Sequence, residues 1–188
     1  MKICGGTARG KSILVPRGGT LRTTTDRVKE ALFNILDPVK NTAFLDLFAG
    51  SGNVGIEALS RGAAQVTFIE SNARHLAVIR KNLERCGFVK GFSIMGVSFD
   101  RGIALLEKRR ERFNTVFADP PYEKDLVMRT LDVLGETNIF APGGTVVVEH
   151  SMRERCADSG ALVLEDERRY GDTVLSFLKF RAGGDHHE

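Results

Sequence analysis

Four consecutive residues, Asp119-Pro120-Pro121-Tyr122, carry the most legible chemistry in the sequence. An exocyclic amine on a nucleic-acid base is a poor nucleophile, because its lone pair is delocalised into the ring. A carboxylate at Asp119 and the carbonyl of Pro120 can each accept one of its two hydrogens. That draws the nitrogen towards tetrahedral geometry and aims its lone pair at an electrophilic carbon. The prolines hold the backbone rigid, and Tyr122 can stack on a base turned out of its helix. A strand ending in a proline turn beside a buried tyrosine would read the same way locally. The tetrapeptide therefore needs a companion motif before it carries a function.

Gly50-Ser51-Gly52-Asn53-Val54-Gly55 is that companion: a G-x-G-x-x-G pattern after an apolar run and before a helix-like segment. Glu70 lies twenty residues beyond Gly50, the spacing of an acid that accepts ribose hydroxyls. Turn, helix and acid coincide, which points to a nucleoside-containing cofactor. A nicotinamide dinucleotide and S-adenosylmethionine both fit these three features. Asp46, four residues before Gly50, begins to separate them. A carboxylate there can accept the ammonium at the methionine end of S-adenosylmethionine, directly or through water. It would repel the pyrophosphate of a dinucleotide. Chain length agrees, since 188 residues leave no room for the substrate domain of a typical dehydrogenase.

Another glycine motif matches by letter only. Gly5-Gly6-Thr7-Ala8-Arg9-Gly10-Lys11-Ser12 fits the phosphate-binding pattern G-x-x-x-x-G-K-S. That loop works between a buried strand and a helix whose N-terminus faces the phosphates. Only four residues precede it here, and Ile13-Leu14-Val15-Pro16 suits a strand and opposes a helix. The match is read as accidental.

The elements that must position these residues follow from hydrophobic patterning. Phe44–Phe48, Val66–Ile69, Phe92–Met95, Val116–Ala118 and Thr145–Val148 read as buried strands. Val54–Arg61, Ala73–Cys86, Arg101–Arg110 and Asp125–Leu134 read as the helices between them. Such alternation implies a doubly wound, mostly parallel sheet with right-handed crossovers. Leu162–Leu164 and Val174–Leu178 flank Tyr170-Gly171-Asp172 and predict a closing antiparallel hairpin. A parallel sheet closed by such a hairpin is the architecture of methyltransferases that use S-adenosylmethionine. Upstream, Val28, Ala31, Leu32, Ile35 and Leu36 share one helical face, opened by a Thr25-Asp26 cap and ended before Pro38.

Composition narrows the class further. With 42% hydrophobic and 27% charged residues the chain is not disordered, and no apolar run approaches a membrane span. The first residues lack the apolar core of a signal peptide. Cys4, Cys86 and Cys156 are too few and too widely spaced for a disulfide framework or a structural zinc, which predicts a reducing cytoplasm and no metal. The net charge of +3 is uneven: residues 1–30 carry seven basic and two acidic groups, a local balance of +5. This segment is either a polyanion-binding arm or a solvated tail.

At these residues the chain resembles the RsmD family of bacterial 16S rRNA guanine-N2 methyltransferases, a branch of the class I S-adenosylmethionine-dependent enzymes. The resemblance spans nearly the whole chain, through Ile3-Cys4-Gly5-Gly6, Leu21–Asn34, Asp46–Gly52, Glu57–Ala63, Phe68–Asn72, Asp119–Tyr122 and Tyr170–Thr173. Thr24-Thr25-Asp26-Arg27 and Ser60-Arg61-Gly62-Ala63 narrow it beyond methyltransferases at large. Thr23 stands where the family usually has Pro, a change that removes no ligand group.

The resemblance implies a Rossmann-like, seven-stranded α/β domain at residues 22–182, a small basic β-hairpin extension at 1–21 and a polar tail at 183–188. It implies that Asp119, Pro120 and Tyr122 act on the amine. It also implies that Thr24, Thr25, Asp46, Gly50, Gly52, Glu70 and Asp100 hold S-adenosylmethionine, with Thr24 and Thr25 at the methionine end and Asp100 near the adenine amine. Arg9, Lys11, Arg22 and Arg27 would hold RNA phosphates. The expected partner is 16S rRNA, within an assembling small ribosomal subunit, with the enzyme a cytoplasmic monomer away from membranes.

Rival functions share parts of this pattern. A DNA amino-methyltransferase acting on adenine N6 or cytosine N4 could use the same tetrapeptide, but usually carries a separate target-recognition domain. A protein glutamine methyltransferase would more typically have Asn at position 119. An idle RNA-binding platform would not need the acceptor pair at Asp119 and Pro120. A nicotinamide oxidoreductase is the remaining enzyme rival.

Overall fold

The computed structural model describes residues 1–16, 24–36, 38–121 and 125–181. In chain order its elements are α1 (Asp26–Ile35), β1 (Ala43–Leu47), α2 (Asn53–Ser60), β2 (Gln65–Ile69), α3 (Ala73–Cys86) and β3 (Phe92–Met95). They continue with α4 (Phe99–Lys108), β4 (Phe113–Ala118), α5 (Leu126–Gly135), β5 (Phe140–Ser151), β6 (Leu162–Tyr170) and β7 (Thr173–Phe180). The strands form one sheet in the order β3-β2-β1-β4-β5-β7-β6. β1 to β5 run parallel, and β7 inserts antiparallel between β5 and β6. This is the Rossmann-like class I methyltransferase fold.

Strand alternation explains the two layers. Phe44 and Phe68 face one side, packing with Leu32 and Phe33 of α1, Ile56 of α2 and Ile79 and Leu83 of α3. Leu45, Leu47, Val116 and Val146 face the other, under Ile103 and Leu106 of α4 and Leu131 and Leu134 of α5. The helices start and stop for local reasons. Thr25 accepts the backbone N–H of Val28 at 3.3 Å to cap α1, and Asn72 accepts that of Arg74 at 2.9 Å to cap α3. Gly87, in the left-handed region, ends α3.

Strand order reverses between β1 and β4, so a crevice opens beyond the carboxyl ends of these two strands. Asp46 lies in β1 and Asp119 follows β4 directly. The topology thus brings both carboxylates to one edge.

Boundaries differ from expectation where special residues interrupt the pattern. β5 begins at Phe140, well before the predicted Thr145. Pro142-Gly143-Gly144 conceals its first part, and a register shift between Phe113 and Thr115 absorbs the irregularity. α4 begins at Phe99, earlier than Arg101, and Gly102 inside it lets the helix press against Ile69, where a Cβ would come within 2.5 Å.

The Gly5–Ser12 motif forms no strand-to-helix loop. Lys2 and Ser12 pair as an antiparallel bridge, and Ile3 and Ile13 donate to the carbonyls of Lys11 and Met1. The resulting hairpin docks on the C-terminal end of α2. The backbone N–H groups of Cys4 and Gly5 donate to the two carboxylate oxygens of Glu57, each at 2.8 Å, and Ala8 N–H donates to Ser60 Oγ at 2.8 Å. Glu57 is fully buried and also receives Arg61 Nε at 2.8 Å, with the Lys29 ammonium 3.4 Å away.

Candidate active site

The glycine turn is built by backbone geometry that few residues tolerate. Gly50 and Gly52 have φ of 56° and 77°, and Gly52 stands at the N-cap of α2. Gly55 is required for a different reason. A Cβ there would lie 2.3 Å from the Phe68 ring and 3.0 Å from Asp46 Oδ2. Its bare backbone lets the Gly55 N–H donate to Asp46 Oδ2 at 2.8 Å. The third glycine of the motif therefore seats the carboxylate beneath the helix start.

Asp46 is almost fully buried, and burial pushes its carboxyl up to about 7; the Glu70 charge adds to the rise and the Gly55 N–H opposes it. A carboxyl held this way ionises readily once a cation comes close, which suits an ammonium ligand. Glu70 reaches over the turn from the end of β2. Its Oε2 accepts Gly50 N–H at 2.9 Å and lies 3.3 Å from His75 Nδ1, and its Oε1 accepts Asn72 N–H at 2.7 Å. The acid and the first glycine of the motif are thus in direct contact.

A cleft above the turn is lined by Thr24, Asp46, Phe48, Ala49, Gly50, Ser51, Asn53, Val54, Phe117 and Asp119. Asp119 and the turn therefore face one space. Pro120 is buried directly behind Asp119, and Pro121 is exposed. Tyr122 lies outside the described residues, as does Arg22.

Thr24 and Thr25 separate. Thr24 lines the cleft and its hydroxyl donates to Glu149 Oε2 at 2.6 Å, whereas Thr25 is exposed and spends its oxygen on the α1 cap. Asp100 sits exposed in the first turn of α4, outside the cleft lining, and hydrogen bonds from Ser98 and the Arg101 backbone hold its carboxyl below the usual range. Its neighbour Phe99 packs on Phe48 with ring centroids 5.1 Å apart, so α4 reaches the cleft through an aromatic pair. Arg9 and Arg27 are exposed. Lys11 is exposed too, but its ammonium donates to the Cys86 carbonyl at 2.9 Å, at the C-terminal end of α3.

Several site residues carry no local signal in the sequence. Asn53 donates to the Thr24 carbonyl at 3.3 Å and receives the Lys29 ammonium at 2.7 Å. Glu149, near the end of β5, anchors Thr24 from 125 residues away. Phe48 was visible only as the end of a strand.

The donor set suits S-adenosylmethionine, because the carboxylates of Asp46 and Glu70 are of the kind that accept an ammonium and ribose hydroxyls, and Gly50 and Gly52 leave the turn bare of side chains. Known proteins decide the family. The family model described as conserved hypothetical protein 95 matches residues 1–179. The chain belongs to this family, the RsmD methyltransferases.

RsmD relatives resemble it along most of their length. The ribosomal RNA small subunit methyltransferase D of Escherichia coli is 38% identical over 152 residues, covering 79% of this chain and 74% of that protein. The Haemophilus influenzae protein of the same name is 37% identical, over 79% and 78%. Among solved structures, a hypothetical protein of Thermus thermophilus superposes with a TM-score of 0.83 at 29% identity, over 94% of this chain and 98% of that one. As an RsmD-family protein the chain is a methyltransferase whose cofactor is S-adenosylmethionine. Among the described residues no helix is long and apolar enough to cross a membrane, no acid–histidine–cysteine cluster could hold a metal, and the three cysteines are free.

Proposed function

We propose that this protein methylates the exocyclic N2 amine of a guanine in 16S rRNA, acting as a cytoplasmic monomer on the assembling small ribosomal subunit. One observation carries this reading: Asp119 shares a cleft with Asp46 and the glycine turn, so an acceptor for amine hydrogens borders the cofactor space. The names of the relatives supply the substrate class, since they are ribosomal RNA small subunit methyltransferases.

When bound, S-adenosylmethionine supplies an electrophilic methyl group. The protein's part is to hold both reactants and to prepare the amine. Asp46 meets the ammonium, Glu70 takes the ribose hydroxyls, and Thr24, steadied by Glu149, borders the methionine end. The Asp119 carboxylate and Pro120 carbonyl accept the two N–H groups of the guanine amine, localising its lone pair for in-line attack. Tyr122 stacks on the extruded base. Arg9 and Arg27, both exposed, and Arg22 neutralise RNA phosphates. Lys11 contributes field from a position fixed by the α3 terminus.

The test is product mapping. Small subunits and naked rRNA from a strain lacking the enzyme are methylated with labelled cofactor, digested and analysed by mass spectrometry. N2-methylguanosine at one 16S position supports the proposal. Label on adenine or cytosine overturns it.

A further inference from the structure

A fully buried side chain outside the chemistry above joins the N-terminal hairpin to the cofactor turn. Asn82, on α3, has no exposed surface. Its Oδ1 accepts the Leu14 N–H at 2.8 Å, and its Nδ2 donates to the Leu14 carbonyl at 2.9 Å. The amide thereby pairs with both backbone groups of one residue, as a neighbouring strand would. Its remaining hydrogen goes to the Ser51 carbonyl at 2.9 Å. Ser51 lies between Gly50 and Gly52, so this bond fixes the Ser51–Gly52 peptide of the same turn whose Gly50 N–H meets Glu70. A second tie runs beyond Gly52, where the buried Lys29 ammonium donates to the Lys2 carbonyl at 2.6 Å and to Asn53 at 2.7 Å.

We propose that Asn82 is a positioning residue for the cofactor turn, and that through it cofactor binding and docking of residues 11–16 stabilise one another. The physical ground is that a buried amide with both hydrogens and its oxygen engaged has no substitute partner. If residues 11–16 lift away, Asn82 loses two of its three bonds, and the cheapest rearrangement turns it away from Ser51 as well. A ligand that needs the turn in its present shape therefore favours the docked leg, and by linkage the docked leg favours the ligand to the same degree. The cofactor state of the enzyme then sets the order of its basic hairpin. This inference rests on the family's cofactor and not on the RNA substrate, and its test contains no RNA.

The experiment is hydrogen exchange by mass spectrometry on the full chain, with and without saturating S-adenosylhomocysteine, alongside titration calorimetry with the same ligand. In the parent, the ligand should slow exchange in residues 11–16. Asn82→Ala removes all three bonds, and Asn82→Asp keeps only the acceptor. Both should bind the ligand about tenfold more weakly, and neither should show ligand-dependent slowing in that segment. Parent exchange that ignores the ligand overturns the proposal without any variant, which covers the case where the variants do not fold. Variants that bind as tightly as the parent, or that keep the slowing despite weaker binding, overturn it too.

Discussion

Asp46 gives a prediction with a sign and a size. In the folded protein its carboxyl holds a proton up to about pH 7, while in the unfolded chain it ionises near its ordinary 3.8. Between these values the unfolded state binds fewer protons than the folded one, so stability falls as pH rises. The slope is about 1.4 kcal/mol per pH unit, and the full interval of roughly three units corresponds to about 4 kcal/mol. Asp46→Asn removes the ionisation and keeps an oxygen that can accept the Gly55 N–H. Urea unfolding of parent and variant at pH 5, 6, 7 and 8 should show the parent losing about 2 kcal/mol relative to the variant between pH 5 and 7, then levelling. Cofactor affinity should run the opposite way in the parent. The ionised form that welcomes an ammonium is about one tenth populated at pH 6, so binding should be about tenfold weaker there than at pH 8. In the variant that dependence should vanish and affinity should be low throughout. A parent–variant stability gap that stays constant from pH 5 to 8 would refute the assignment of a buried, elevated Asp46.

Other perturbations separate the parts of the site. Glu70→Ala should weaken S-adenosylhomocysteine binding by about 1–3 kcal/mol, read by calorimetry, because it removes charged hydrogen bonds and frees the Gly50 N–H. Glu57→Ala should cost about 3–5 kcal/mol in urea unfolding, since it leaves the buried Lys29 with only the half-exposed Asp26 as an anion, 3.6 Å away, and two hairpin N–H groups without acceptors; a loss below about 1 kcal/mol would mean the hairpin does not depend on this anchor. Arg9→Ala should lower the slope of log affinity for RNA against log salt by about one and leave cofactor affinity unchanged. An unaltered slope would make Arg9 a solvated surface charge.

The motifs that proved informative in the sequence were those whose chemistry is local. Gly50–Gly55 leads from the end of β1 into α2 because turn, cap and close approach are all encoded within six residues. Asp46 and Asp119 could be placed together because strand order in a doubly wound sheet dictates where their ends meet. The antiparallel closure by β6 and β7 was visible from two short apolar runs about a glycine turn. Long-range polar ties were not legible. Asn82 to Leu14, Glu57 to Cys4 and Thr24 to Glu149 span 68, 53 and 125 residues, and each is a polar side chain on an otherwise ordinary element. Hydrophobic periodicity says nothing about which distant backbone group such a side chain will satisfy. Lys11, which the resemblance implied as a phosphate ligand, also donates to a carbonyl at the end of α3, a tie its charge did not reveal.

The central claim is that Asp119 prepares a guanine amine for methyl transfer beside the cofactor turn. Single-turnover methylation of small-subunit rRNA, with parent and Asp119→Ala at saturating cofactor and RNA, tests it most directly. The rate should fall by about 10²–10³, the usual loss for one well-placed electrostatic contact, with RNA and cofactor affinities nearly unchanged. Asp119→Asn should fall between the two, because it keeps an acceptor oxygen and loses the charge. Methylation by Asp119→Ala at the parent rate would contradict the mechanism.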